Sequence, residues 1–160
     1  MNFDQAFDKL IGHEGRFSDH PDDKGGPTCW GITEAVARAN SYFGDMRDLT
    51  QFQARAIYRQ CYWTPLKADQ LPEEVRFDVF DGAVNSGVVQ SAKWLQRALG
   101  VIVDGVVGPQ TLAACKFVPG GVLKCQYNGQ RLAFMTDLGG WGIFGKGWAR
   151  RMAKNLMESA

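Results

Sequence analysis

The sequence predicts a mainly α-helical fold carrying one small irregular or β-hairpin loop. Two observations predict it. Apolar residues recur at helical spacing through most of the 160 residues. The densest run of turn formers is confined to one stretch after residue 14, between apolar helical segments. The length suits one well-buried domain or two small lobes sharing a core. We read residues 1–160 as a single compact domain, with an N-terminal lobe over 1–66 and a helical lobe over 72–156.

The first helix is expected over Asn2 to His13, where Phe3, Phe7, Leu10 and Ile11 form one stripe. At about 100° per residue, position 14 returns close to that face. Glu14 therefore continues an apolar stripe, while Asp4, Asp8 and Lys9 fall largely elsewhere. Gly12 and Gly15 flank Glu14 and end the helix near it. A carboxyl aimed at an apolar interior holds its proton more tightly than a solvated one, as a general acid must. The alternative is a glutamate at a frayed helix end that turns to water.

From Gly15 to Thr33 the chain is rich in Pro, Asp, Gly and hydroxyls, which argues for tight turns or a short irregular hairpin. Its length, inside a compact domain, favours a working loop over an idle one. Gly25 and Gly26 allow close backbone approach, and the Thr28 hydroxyl can position a water or a sugar oxygen. Thr33, followed by Glu34, reads as a helix N-cap.

Beyond the loop, helices are expected over Glu34 to Asn40 and over Gln51 to Tyr62, the latter capped by Thr50 with Phe52, Ala56, Ile57 and Cys61 in register. Glu73 to Val84 carries Val75, Val79, Phe80 and Ala83 on one stripe, and Asn85-Ser86-Gly87 ends it. Ser91 to Leu99 is a short helix closed by Gly100. Val101 to Gly108 reads as a tight β-like excursion before Pro109 opens the helix containing Thr111. Val122 to Leu138 is a long helix, Gly139 to Gly147 a loop, and Trp148 to Met157 the last helix. In that helix Ala149, Met152, Ala153 and Leu156 form a face suited to packing on the core. Arg150, Arg151 and Lys154 fall mostly on the other side, where they meet anionic envelope polymers or remain a solvated face.

The formal net charge is +1, so the total gives no polyanion-binding footprint and nucleic acid is not an expected partner. No apolar run is long enough to span a membrane, and Asp4, Asp8 and Lys9 interrupt any signal-peptide core. Synthesis in the cytoplasm, with help needed to leave it, is the expectation. Cys29, Cys61, Cys115 and Cys125 form no zinc spacing, and reduced, partly buried thiols are expected. No metal or cofactor is expected. A Cys29 nucleophile would need His20, nine residues earlier, or His13, and a Cys–His pair is the minor reading.

Three groups of residues carry a family resemblance. Glu14-Gly15, then Pro21-Asp22-Asp23-x-Gly25-Gly26-x-Thr28, then Gly31-Ile32-Thr33 closely resemble the signature of glycoside hydrolase family 108. Those are lysozyme-like muramidases, common as bacteriophage endolysins. Downstream, Phe77-Asp78-Val79-Phe80-Asp81 runs into Val84-Asn85-Ser86-Gly87. It is followed by Ala92, Trp94-Leu95-Gln96, Ala98-Leu99 and Val103-Asp104-Gly105-x-x-Gly108-x-x-Thr111-Leu112. This part is similar to the peptidoglycan-binding segment that accompanies family 108 domains. The two matches span roughly residues 8 to 135. Arg16 stands where the family often has a second glycine, which leaves the local loop shape open.

The resemblance implies a lysozyme-like fold and hydrolysis of the β-1,4 bond between N-acetylmuramic acid and N-acetylglucosamine in bacterial peptidoglycan. It implies export by a holin, action on the wall in the periplasm, and a monomer. On the residues, Glu14 is the acid and Asp23 the second carboxylate, with Asp22 its nearest competitor and Asp19 behind both. Thr28 holds the attacking water. Asp22, Trp30 and Asn85 are the candidate substrate-binding residues. Trp30 is the best sugar platform among Trp30, Trp63, Trp94, Trp141 and Trp148, while Trp94 sits on an apolar helical face. Asn85 either bonds a sugar N-acetyl group, anchors the loop, or belongs to a helix stop at Gly87. The rival classes are a lytic transglycosylase using a single glutamate and a non-catalytic wall-binding module.

Overall fold

The computed structural model describes residues 1–12, 17–18 and 26–157. The chain divides into two units, residues 2–61 and residues 62–160 together with Met1. Among the described residues no helix is long and apolar enough to cross a membrane.

The first unit opens with helix α1 (Phe3–Ile11). Asn2 caps it in a reciprocal capping box with Gln5, and Gly12 closes it at φ +59°. Phe3, Ala6 and Phe7 are buried, whereas Leu10 and Ile11 are only half-buried, so the stripe loses depth toward its C-terminal end. Three two-residue strands follow, β1 (Phe17–Ser18), β2 (Thr28–Cys29) and β3 (Ile32–Thr33), in one antiparallel sheet of order β1-β2-β3. Phe17 pairs with Cys29, Ser18 with Thr28, and Thr28 in turn with Thr33. The small hairpin expected from the turn formers is therefore present. Thr33 caps α2 (Glu34–Ala39) by accepting from the Val36 amide.

Helix α3 (Gln51–Tyr58) starts at Thr50 in a second capping box and runs into a π-helical turn, Arg59–Trp63. Its buried face is Ala54, Ile57 and Tyr58; of the stripe expected from spacing, Ile57 is inward and Cys61 half-buried, but Ala56 is exposed and Phe52 is 82% exposed. The rotation follows from Arg55. Its guanidinium pairs with Asp4 (2.9 Å) and Asp8 and lies 4.5 Å from the Phe7 ring centroid, which turns the adjacent Ala54 and Tyr58 inward.

The second unit is helical. It contains α4 (Glu73–Ser86), α5 (Val88–Leu99), α6 (Pro109–Cys115), α7 (Gly120–Thr136) and α8 (Trp141–Met157). Helix α4 is buried on most sides, with Val75, Val79, Phe80 and Ala83 inward as expected, and it packs against α5 and α7. Trp94 is fully buried, edge-on to Tyr127 and Phe134. Gly82 lets α7 approach closely, because a Cβ there would collide with the Tyr127 hydroxyl. That hydroxyl bonds Ser91, which donates to the Val79 carbonyl.

Two expected elements differ. Residues 101–108 form no strand; buried Gln96 fixes this loop instead. Its amide donates to Asp104 (2.6 Å) and to the Val106 carbonyl, and its oxygen accepts from the Gly105 amide. The expected loop over Gly139 to Gly147 is mostly helix, because α8 begins at Trp141. Glycine there serves packing: a Cβ on buried Gly145 would lie 2.7 Å from the Trp141 ring. The apolar face expected for α8 is also shallower than its spacing implied. Met152 is buried, but Ala153 and Leu156 are exposed and line an open groove with Leu132.

Candidate active site

Glu14, Asp19, Asp22 and Asp23 lie outside the described residues, as do His13 and His20. In sequence Glu14 stands two residues past the Gly12 cap of α1. Asp22 and Asp23 belong to the connection between β1 and β2.

The surrounding frame is described. Trp30 and Gly31 are the two central residues of the β2–β3 turn, with φ +53° and +74°. Positive φ at both is what a type I′ hairpin turn requires. For tryptophan that backbone costs about 1–2 kcal/mol, so it persists only under restraint. The restraint is visible: the Trp30 indole N–H donates to the Leu49 carbonyl (2.8 Å), and the Tyr58 hydroxyl donates to the Trp30 carbonyl (3.3 Å). The indole is half-buried, anchored by its polar edge with part of its surface open. Gly31 is forced, since a Cβ would fall 2.7 Å from the Tyr58 hydroxyl oxygen.

Thr28 is half-buried on β2, and its hydroxyl donates to the Gly26 carbonyl (3.2 Å). The proton is thereby committed, and the oxygen keeps lone pairs that can accept from a water O–H. Cys29, its neighbour, is fully buried and its thiol donates to the Leu49 carbonyl (3.7 Å). A thiol enclosed in this way is a core group, which removes the minor reading of Cys29 as a nucleophile. Beside the sheet lies a cavity of about 250 Å³ lined by Phe17, Pro27, Glu34, Arg38, Asp45 and Arg47. Glu34 and Arg38 pair across one helical turn at 2.6 Å. In sequence, Phe17 and Pro27 stand either side of the stretch that carries Asp22 and Asp23, each one residue beyond its bounding neighbour, Ser18 and Gly26 respectively.

The remaining candidate, Asn85, belongs to the second unit. Its amide donates to the Asp81 carbonyl (2.6 Å) and carboxylate (3.2 Å), an i to i−4 tie within α4. The geometry favours a helix-end role, with Gly87 at φ +86° beyond it. Trp63 and Trp94 are buried and can stack on no sugar. Trp141 and Trp148 lean on each other, ring centroids 6.2 Å apart.

Spacing did not reveal the polar cluster at the heart of the second unit. Asp81 is 1% exposed, and its carboxylate accepts from Arg131 (2.7 Å), Arg151 (Nε, 3.0 Å) and Asn155 (3.2 Å) as well as Asn85. Burial alone would raise its pKa, but the Arg131 and Arg151 guanidiniums outweigh that and hold it below the usual range. One turn earlier Asp78, 2% exposed, accepts only from the Asn128 amide among the described residues (2.9 Å). Burial pushes its carboxyl up to about 6. The signal available in the sequence was two aspartates, three apart, inside the apolar run Val75 to Ala83. Arg151, expected on the outer basic side of the last helix, thus turns its guanidinium to Asp81 as a counter-ion while its side chain stays 43% exposed.

No curated protein sequence matches the chain. Residues 7–87 match the family described as Glycosyl hydrolase 108, and residues 90–153 match one described as Predicted Peptidoglycan domain. The first match reaches through α4, although α4 packs within the helical unit. Among solved structures, SagA of Brucella abortus superposes with a TM-score of 0.86 at 35% identity, over 96% of this chain and 91% of that one. With a mainly α, lysozyme-like fold and a peptidoglycan-domain match that follows the hydrolase match in sequence, the chain belongs to the glycosyl hydrolase 108 family and is a peptidoglycan glycosidase.

Proposed function

We propose that the protein is an N-acetylmuramidase, hydrolysing the β-1,4 bond between N-acetylmuramic acid and N-acetylglucosamine. The observation that carries this reading is the hydrolase-family match over residues 7–87, the stretch holding Glu14, Asp22, Asp23, Thr28 and Trp30. Glu14 donates its proton to the glycosidic oxygen as the C1–O bond breaks. Charge developing at C1 and the ring oxygen is met by the carboxylate of Asp23, with Asp22 the competitor for that role. Water supplies the new bond to C1, its hydrogen-bonding aided by the Thr28 oxygen, whose own proton is held by the Gly26 carbonyl.

Two stereochemical courses remain. If the second carboxylate takes the proton of the attacking water as base, the carboxyl groups stand roughly 6.5–9.5 Å apart; if it forms a covalent glycosyl intermediate they stand about 5 Å apart, and the ionised Glu14 takes the proton of the water that releases the sugar. Trp30 gives the sugar an aromatic surface whose indole edge is already tied to Leu49. The biological setting we infer is that of a bacteriophage endolysin: made in the host cytoplasm, released by a holin, acting on the wall from the periplasm as a monomer, and lysing the host.

The test is clearance of permeabilised Gram-negative cells, with mass spectrometry of the solubilised fragments. Wild type should clear turbidity and leave reducing N-acetylmuramic acid ends, each carrying one added water. Glu14→Gln should fold normally and clear nothing. Anhydro ends would replace the hydrolase reading by a transglycosylase, and binding to sacculi without fragments would replace it by a wall-binding module.

A further inference from the structure

Tyr58 carries a buried hydroxyl that stands outside the proposed chemistry. It is 2% exposed, at the C-terminal end of α3. Its ring stands edge-on to Phe7 of α1, with centroids 5.3 Å apart and planes at 78°. Arg55, one turn earlier on α3, lies over the same Phe7 ring, so Phe7 is where α3 grips α1. The Tyr58 hydroxyl extends this joint to the β2–β3 turn, donating to the Trp30 carbonyl at 3.3 Å. The turn comes close on its other residue too. A Cβ added to Gly31 would lie 2.7 Å from the Tyr58 hydroxyl oxygen and 3.8 Å from Cδ1 of Ile11, the last residue of α1. In sequence Glu14 follows three residues after Ile11. One side chain therefore touches both the helix that leads to Glu14 and the turn that carries Trp30.

We propose that Tyr58 is a positioning residue for glycan binding, holding the Trp30 indole in register with α1 through the Trp30 carbonyl. The inference rests on the reading of Trp30 as the sugar platform. Packing against Phe7 asks for the ring alone, which phenylalanine would supply equally. Stability does not account for the hydroxyl either. At 3.3 Å its bond is longer than the about 2.7–2.8 Å usual for O–H···O, and such a bond adds little net stability. What the bond does is select a conformation. Trp30 sits at φ +53°, a region that L side chains rarely adopt. Relaxing to negative φ would rotate its Cα–Cβ bond and swing the indole away. The Leu49 carbonyl fixes the polar edge of the ring at 2.8 Å, and the Tyr58 hydroxyl fixes the peptide from which the ring projects. The half-buried indole is then ordered before the sugar arrives, and pre-organisation of this kind raises affinity.

The experiment is calorimetric titration of the full chain, in a Glu14→Gln background, with a soluble oligosaccharide of alternating N-acetylglucosamine and N-acetylmuramic acid. Tyr58→Phe should weaken binding about three- to tenfold, the range of one net hydrogen bond. It should lower Tm by no more than about 2–4 °C. Trp30→Gly suits the positive φ of the turn and removes the indole. In that variant the further change Tyr58→Phe should cost no more affinity, because two residues acting through one contact are not additive whereas independent ones are. With Glu14 restored, Tyr58→Phe should raise KM by a similar factor and leave kcat nearly unchanged. A merely structural loss would instead lower the active fraction, and with it the apparent kcat, at constant KM. A protein that binds the glycan with this dependence on Tyr58 but releases no fragments would sink the muramidase reading and leave this one standing. The proposal is overturned if the parent binds no glycan, if Tyr58→Phe binds as the parent does, or if the losses at Trp30 and Tyr58 add. It is overturned equally if kcat falls at unchanged KM, or if Tyr58→Phe melts well below the stated range.

Discussion

Asp78→Asn should make the protein more stable at neutral pH, an unusual outcome for a substitution in a fully packed helix. Asp78 is enclosed on α4 and, among the described residues, accepts one side-chain hydrogen bond, from the Asn128 amide. The Asn128 side-chain oxygen has no hydrogen-bond partner among the described residues. A protonated Asp78 carries an O–H that can supply it; an ionised one cannot, which agrees with burial raising the carboxyl to about 6 from 3.8. The folded pKa is the higher of the two, so the folded state binds more protons between those values. Stability from this site is present in acid and lost as pH rises from 3.8 through 6. At 1.36 kcal/mol per unit, the loss amounts to about 3 kcal/mol above that window. An amide at position 78 keeps the shape, accepts from Asn128 and can donate to its oxygen, all without charge. The gain at about pH 8 should therefore be about 1–3 kcal/mol, raising Tm by roughly 3–10 °C, and should vanish near pH 4. Paired denaturant or calorimetric unfolding across this range measures it. Asp81, Arg131 and Lys124 act on the Asp78 carboxyl electrostatically, so the difference reads Asp78 together with its coupling to them. A variant equally stable at every pH, or less stable at pH 8, would refute the reasoning.

Asp81→Asn should cost about 3–5 kcal/mol, because Arg131 is left buried without its counter-charge; urea unfolding checks it, and a loss under 1 kcal/mol would show that Asn155 and water suffice. Gly31→Ala should destabilise the sheet-bearing unit by at least about 1–2 kcal/mol, from the left-handed backbone, with the Tyr58 hydroxyl displaced besides. Loss of thermal stability together with lytic rate is expected. Asp23→Ala should lower lytic turnover by about 100-fold or more, as loss of a catalytic carboxylate does, with little change in Tm, and Asp22→Ala should be milder; the reverse ranking transfers the role to Asp22. Cys29→Ala should retain lysis after allowance for a modest fall in Tm, and selective loss of turnover in a stable protein would return the thiol to the chemistry.

What could be read from the chain beforehand follows the range of the forces involved. The caps at Thr33 and Thr50, Pro109 at the start of α6 and the buried stripe of α4 depend on neighbours within a turn or two, and spacing reveals them. The rotation of α3 depends on Arg55 meeting Asp4 and Asp8, 51 and 47 residues earlier, and local periodicity pointed to Phe52 instead. Glycines misled at α8 for a related reason. Gly145 looks like a helix breaker in sequence but is the only residue that fits beneath the Trp141 ring. Glu14 was singled out because one stripe and one loop meet there in sequence, and it lies outside the described residues. The Asp81 cluster was not, since Arg131, Arg151 and Asn155 come from two later helices. Its identity also changes how the last helix is read. Arg151, expected on the outer basic side with Arg150 and Lys154, turns its guanidinium to the buried Asp81 carboxylate while its side chain stays 43% exposed. Spacing within one helix cannot show a partner that stands seventy residues earlier on another.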